Sequence, residues 1–218
     1  IKNNEVYLSY LLERYKININ NNQNYTLSNE FPFWMGKEIY EQYKSVFSCI
    51  NNGGRLINDD SVKLGGLDKC KSQLLKCDNL IILGCGTSFH AGLWGSYEFK
   101  NMKVFNSIQV IDGAEFEECD IPIHGNTILI LLSQSGETKD LHRCIEIAKN
   151  KDLITVGVVN VTDSLISRET DCGVYLNAGK EFSVASTKSF TNQCIVLSLI
   201  SIWFAQNKNL YSKARTDK

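Results

Sequence analysis

Three stretches of this 218-residue chain are apolar at nearly every position and only five or six residues long: Asn79–Leu83 (NLIIL), Thr127–Leu132 (TILILL) and Ile154–Val159 (ITVGVV). A strand with one wet face alternates apolar and polar side chains, whereas a strand apolar throughout has to be covered on both faces. Runs this short have strand length and fall below helix length. Val104–Ile111 (VFNSIQVI) and Gly173–Leu176 (GVYL) are weaker strand candidates, and helical spans follow at Ser88–Lys100, Thr138–Lys149 and Thr187–Gln206. Doubly buried strands alternating with helices build a parallel sheet with helix layers above and below. The expected fold is α/β: a three-layer, doubly wound, five-stranded parallel sheet of the flavodoxin-like kind, flanked by helices.

Residues 1–60 have a different texture. Val6–Tyr15 reads as a short helix, Asn18–Asn24 is polar and low in complexity, and Met35–Cys49 carries apolar residues at helical spacing. They form an N-terminal linker segment with short helices, ahead of a domain over 61–218. The chain begins at Ile1 rather than Met, which we read as a fragment or a processed product.

Bulk properties exclude several function classes. The 23 basic and 24 acidic residues nearly cancel, so there is no electrostatic footprint for nucleic acid or an anionic membrane. An anionic small ligand would need a local site. The longest apolar run, Cys194–Ala205, is shorter than the roughly 20 residues of a membrane span. Eight cysteines include no C-x-x-C pair, and we read them as reduced thiols of a cytosolic protein. His90, His124 and His142 lack partners at metal-ligand spacing, and with no dinucleotide fingerprint or P-loop after the first strand, no metal or nucleotide cofactor is implied.

Ligands of open parallel sheets bind beyond the carboxyl ends of the strands. After the first strand comes Gly84-Cys85-Gly86-Thr87-Ser88, which lacks the third glycine of a dinucleotide fingerprint and the G-K-[ST] of a P-loop. It is a tight turn with two hydroxyls, and equally a capped turn without a ligand. After the third strand comes Ser133-Gln134-Ser135-Gly136-Glu137-Thr138, where a helix should begin. Backbone N–H groups, the helix dipole and three hydroxyls there make a phosphate site that needs no cation. A plain N-cap at Thr138 or Ser135 would need only one of these residues. After the fifth strand, Asn177-Ala178-Gly179 leads to Glu181 and Val184-Ala185-Ser186-Thr187-Lys188. This is a loop with a cap, or a wall for sugar hydroxyls. Glu181 and Lys188 are a surface pair or act at the site.

Together these segments resemble a known family. Ser133–Thr138 is similar to the S-Q-S-G-E-T loop of sugar isomerase (SIS) domains. Cys85-Gly86-Thr87-Ser88, Ser167-Arg168-Glu169-Thr170-Asp171, Asn177-Ala178-Gly179 and Val184–Lys188 resemble segments of the glutamine–fructose-6-phosphate transaminases. So do Met35, Lys37-Glu38-Ile39 and Glu41-Gln42 upstream. The resemblance covers residues 31 to 206, and Trp34 and Gly36 depart from it. It implies the first SIS domain of the isomerase part, binding fructose 6-phosphate or glucosamine 6-phosphate. Ser133, Gln134, Ser135 and Thr138 would hold the phosphate; Thr87, Ser88, Val184, Ala185, Ser186 and Lys188 would meet or position the sugar. Schiff-base, ring-opening and proton-transfer groups would lie on a second SIS domain and a C-terminal tail, and ammonia release on a glutaminase domain. The chain alone would then contain no catalytic residue and be inactive. SIS domains pair, which implies a homodimer with Thr187–Gln206 as part of its interface. A stand-alone phosphosugar isomerase or deaminase, or a non-catalytic phosphosugar-sensing regulator, are the alternatives.

Overall fold

The computed structural model describes residues 31–58 and 61–208. The expectations for Val6–Tyr15 and Asn18–Asn24 lie outside these residues. From Phe33 onward the described chain belongs to one compact unit. A helix α1 (Trp34–Cys49) is followed by a small antiparallel pair, β1 (Leu56–Asn58) and β2 (Ser61–Val62), a 3-10 turn over Gly65–Cys70 and a short α2 (Lys71–Leu74). The sheet then runs β3 (Asn79–Gly84), α3 (Thr87–Met102), β4 (Ser107–Asp112), β5 (Thr127–Ser133), α4 (Lys139–Asn150), β6 (Ile154–Val159), α5 (Leu165–Glu169), β7 (Cys172–Tyr175) and α6 (Lys188–Asn207).

The five strands β3–β7 are all parallel, in the order β4-β3-β5-β6-β7. This is the doubly wound order anticipated from the apolar runs. Successive residues point to opposite faces, and both faces are dry. Leu80, Ile82, Ile128, Ile130 and Leu132 join Ala91 and Phe99 of α3 and Leu197, Ile200 and Phe204 of α6 in one core. Ile81, Leu83, Leu129 and Leu131 join Leu141 and Ile145 of α4 and Ile166 of α5 in the other. The central strands β3 and β5 are buried at every position, whereas β4, at the edge, is half-buried throughout. That is why its sequence alternates and its start was read too early: the strand begins at Ser107, not Val104.

Two regions differ from expectation. The hairpin β1–β2 was not anticipated; Gln206 of α6 pins it through both backbone groups of Val62, at 3.0 and 2.7 Å. Helix α6, expected to offer an interface, is instead largely covered within the chain. It packs against α3 on one side and α1 on another, and Asn192, Gln193, Leu197, Ile200 and Phe204 are all buried. Exposed apolar side chains stand on α3 instead, at Leu93, Trp94 and Tyr97. No described helix is long and apolar enough to cross a membrane.

Close approach of α3 to α6 depends on Gly95, where a Cβ would come within 2.6 Å of Leu197 Cδ1 and 2.9 Å of Leu197 Cβ. Overpacking of a tight contact costs about 1–3 kcal/mol, which exceeds the helix-propensity gain on replacing glycine. Gly95→Val is therefore expected to lower stability by about 1–3 kcal/mol in a denaturant titration, with the secondary structure retained.

Candidate functional site

Strands β3 and β5 are neighbours, yet the chain leaves β3 toward β4 on one side and leaves β5 toward β6 on the other. Such a reversal opens a crevice at the carboxyl ends of the strands. Register sets Gly84 beside Leu132, so the turn at Cys85 and the loop at Ser133 leave the sheet at the same level. Between them and the loop before α6 lies a cleft of about 190 Å³. Eight of the ten residues anticipated from sequence line it: Thr87, Ser88, Ser133, Gln134, Ser135, Thr138, Val184 and Ser186. Cys85, Leu132, Glu181 and Ser183 complete the lining. Ala185 and Lys188 are not part of it.

The hydroxyls are arranged as donors. Ser135 Oγ accepts the Glu137 N–H at 3.1 Å, and Ser133 Oγ accepts the Gly136 N–H at 2.9 Å. Ser88 Oγ, nearly buried, accepts from Gln193 Nε2 at 2.9 Å. With an acceptor site occupied by N–H, each hydroxyl keeps its own proton to give. Ser133 and Thr138 share one bond at 2.9 Å, which leaves that pair one further proton. Thr138 is the N-cap residue of α4, but its side chain makes no capping bond; it faces Ser133 instead. The hydroxyl density thus goes beyond what helix capping uses. Gly136, at φ +69°, makes the sharp turn, and a Cβ there would overlap Ser164. The loop is further fixed by Glu137 Oε1, which accepts the Leu165 N–H of α5 at 2.9 Å.

The third wall is held from outside the sheet. Asn160, just past β6, accepts the Ala178 N–H at 2.8 Å and donates to Gly179 O at 2.7 Å. Helix α1 then grips the loop. Buried Glu38 accepts the Phe182 N–H at 2.5 Å and the Ser183 N–H at 3.3 Å, and Trp34 stacks on Phe182 with centroids 4.2 Å apart. Lys188, placed at the sugar by the resemblance, is buried and turned the other way. Its Nζ donates to Glu41 Oε2 and to Lys180 O, at 2.8 and 2.9 Å. Glu38, Glu41 and Gln193 were not identified as site supports from sequence. The available signal was a row of polar side chains at 38, 41, 42 and 45 on one face of α1, which meets Thr191 and Asn192 of α6.

Titrating groups define what the cleft can do chemically. Burial and the neighbouring Asp112 push the Cys85 thiol up to about 11, so it is protonated at neutral pH and a poor nucleophile. His90 is exposed and packs edge-on against Phe89, and His142 lies beside Glu146 on α4; neither lines the cleft. Among the described residues no cluster of His, Cys, Asp or Glu could hold a metal ion. What remains is a binding surface of hydroxyls and helix-end amides.

Glu181 is the exception. Its Oε1 accepts the Thr187 N–H at 2.7 Å, Thr187 Oγ1 at 2.9 Å and the Lys188 N–H at 2.9 Å. Burial alone would raise its pKa, but the Thr187 hydroxyl and the amides at the head of α6 outweigh it and hold the carboxyl below its ordinary 4.5. A depressed folded pKa contributes stability that is present above the unfolded value and lost as pH falls through the folded one. Glu181→Gln should therefore melt below wild type at neutral pH. The gap should close as pH drops below about 4.5, which melts across a pH series will check.

The comparisons agree with this geometry. The SIS domain model matches residues 73–202. A probable glutamine–fructose-6-phosphate aminotransferase of Acanthamoeba polyphaga mimivirus is 44% identical over 79% of this chain, and the human aminotransferase 2 is 36% identical over 84%. The chain spans only 28% and 26% of those two proteins. Among solved structures, the C-terminal domain of the Francisella tularensis glucosamine-fructose-6-phosphate aminotransferase superposes with a TM-score of 0.76 at 29% identity, over 88% of this chain and 53% of that one. A Thermotoga maritima glucosamine-6-phosphate deaminase, at 21% identity and a TM-score of 0.63 over 84% of this chain and 51% of that one, shares the fold. The matched span takes in the whole parallel sheet, all three loops of the cleft and most of α6, and on that ground the chain belongs to the SIS domain family.

Proposed function

We propose that this chain binds a hexose 6-phosphate, fructose 6-phosphate or glucosamine 6-phosphate, as the first SIS domain of a glutamine-dependent fructose-6-phosphate aminotransferase. The observation that carries this is the Ser133–Thr138 loop. It is a cation-free set of hydroxyls, two of which each already accept a backbone N–H, placed at the head of the twelve-residue helix α4. Helix N-termini favour anions through free N–H groups and the dipole. The phosphate sits on Ser133, Gln134, Ser135 and Thr138; the sugar reaches toward Thr87, Ser88, Val184 and Ser186. Similarity to the viral and human aminotransferases supports this substrate class.

In this proposal the cleft binds and orients, and the groups that react with the sugar carbonyl come from other parts of a longer protein: a second SIS domain and a glutaminase domain. The isolated chain is inactive, and the whole protein acts in the cytosol as a homodimer, in the synthesis of glucosamine 6-phosphate. Pairing with another SIS domain is better served by the exposed face of α3, with Leu93, Trp94 and Tyr97, than by the covered α6.

Calorimetric titration with fructose 6-phosphate tests the site. A hydrogen bond to a charged group is worth about 1.5–3 kcal/mol, so Ser135→Ala/Thr138→Ala should weaken binding by at least about a hundredfold while the melt stays cooperative. Unchanged affinity in the folded double variant would place the phosphate elsewhere.

A further inference from the structure

The cleft assigned to a phosphate dianion contains a carboxylate and no cation. Of the described residues that line it, Glu181 is the sole carboxylate, and neither Lys nor Arg contributes. Lys188, close by in sequence, is buried and spends its charge on Glu41. Three helices begin at this cleft, α3 at Thr87, α4 and α6, and the N-termini of α4 and α6 are not equivalent. At α6 the anion position is already filled: Glu181 Oε1 takes the N–H groups of Thr187 and Lys188 and the Thr187 hydroxyl, all within 2.9 Å. At α4 no described carboxylate accepts from the first N–H groups. Glu137, the acid within that loop, turns to Leu165 instead.

We infer that Glu181 is a specificity-determining residue: it polarises the cleft, reserves the α4 end for a single phosphate and keeps a second anionic group away from the α6 end. This inference rests on the phosphosugar site proposed above. The ligand class is a sugar monophosphate whose far end is a hydroxyl or an ammonium group. Sugar bisphosphates, which match the α4 end equally well, are rejected by like-charge repulsion at the other. Capping and selection use the same carboxylate. The donors at the head of α6 hold it in place and ionised, its second oxygen accepts from Ser186 Oγ at 3.4 Å, and the residue lines the cleft.

Calorimetric titration with fructose 6-phosphate and fructose 1,6-bisphosphate reads the effect as a ratio of affinities, with a thermal melt of each variant. Wild type should bind the bisphosphate at least about tenfold more weakly, and Glu181→Gln should bring the two within about threefold. Val184→Lys adds a cation at an exposed position on the same wall. It should narrow the ratio in the same direction and serves if the Gln variant does not fold. A purely capping role would weaken both ligands together and leave the ratio unmoved, which would overturn the inference. So would a wild type that binds both sugars equally, an outcome that leaves the phosphosugar site standing. A wild type that binds neither overturns the phosphosugar site itself and this inference with it.

Discussion

A parallel strand can follow its neighbour only after the chain has travelled back to the end where the first one began. From β3 to β7 the chain makes this return four times, and every return starts from the same edge of the sheet. The loops that carry Thr87 and Ser88, Ser133 to Thr138, and Glu181 to Ser186 are therefore gathered at one end by topology. Because both faces of the sheet are dry, the helices leaving that edge are fixed in direction by their own cores. The heads of α4 and α6 can meet one cleft only because α4 packs on one face and α6 on the other, across the reversal between β3 and β5.

The cleft proposed for the phosphate carries no countercharge among the described residues that line it. An ammonium group would attract phosphate from a distance, but it would do so with little regard to orientation. Hydroxyls that each accept one N–H, from the backbone or from Gln193, have fewer directions left in which to give a proton, and so impose geometry as well as affinity. The same economy appears at Glu181, where an ionised acid sits in a site for an anion. It does so because its charge is shared with the amides of α6, just as the phosphate's would be with those of α4.

The sheet was legible because burial on both faces writes itself into sequence as continuous apolar runs: β3, β5 and β6 were found to within a residue at each end. The short β7 was likewise found to within a residue at each end, whereas the start of the edge strand β4 was misplaced by three residues, since a half-buried strand mixes polar and apolar residues. Hydroxyl-rich loops after strands marked most of the cleft. What could not be read was support from afar. Glu38 lies 144 positions from Phe182, whose amide it accepts, and Gln193 lies 105 from Ser88. No local pattern encodes a contact of that separation. Lys188 shows the converse, a residue whose neighbours in sequence line the cleft while its own side chain reaches Glu41 of α1. The helix before the sheet, read as part of a linker, turns out to be the brace of the third loop.

The central claim, that the head of α4 is the phosphate seat, is tested most directly by mapping where a ligand touches the backbone. Titration of the ¹⁵N-labelled chain with fructose 6-phosphate, followed through its amide resonances, should shift Gln134 to Thr138 most, with Thr87 and Ser88 next and the head of α6 less. Largest shifts at Thr187 to Ser189, or outside the cleft, would contradict the account. They would mean that the anion sits where Glu181 has been placed, and that the hydroxyls of the Ser133–Thr138 loop serve the fold alone.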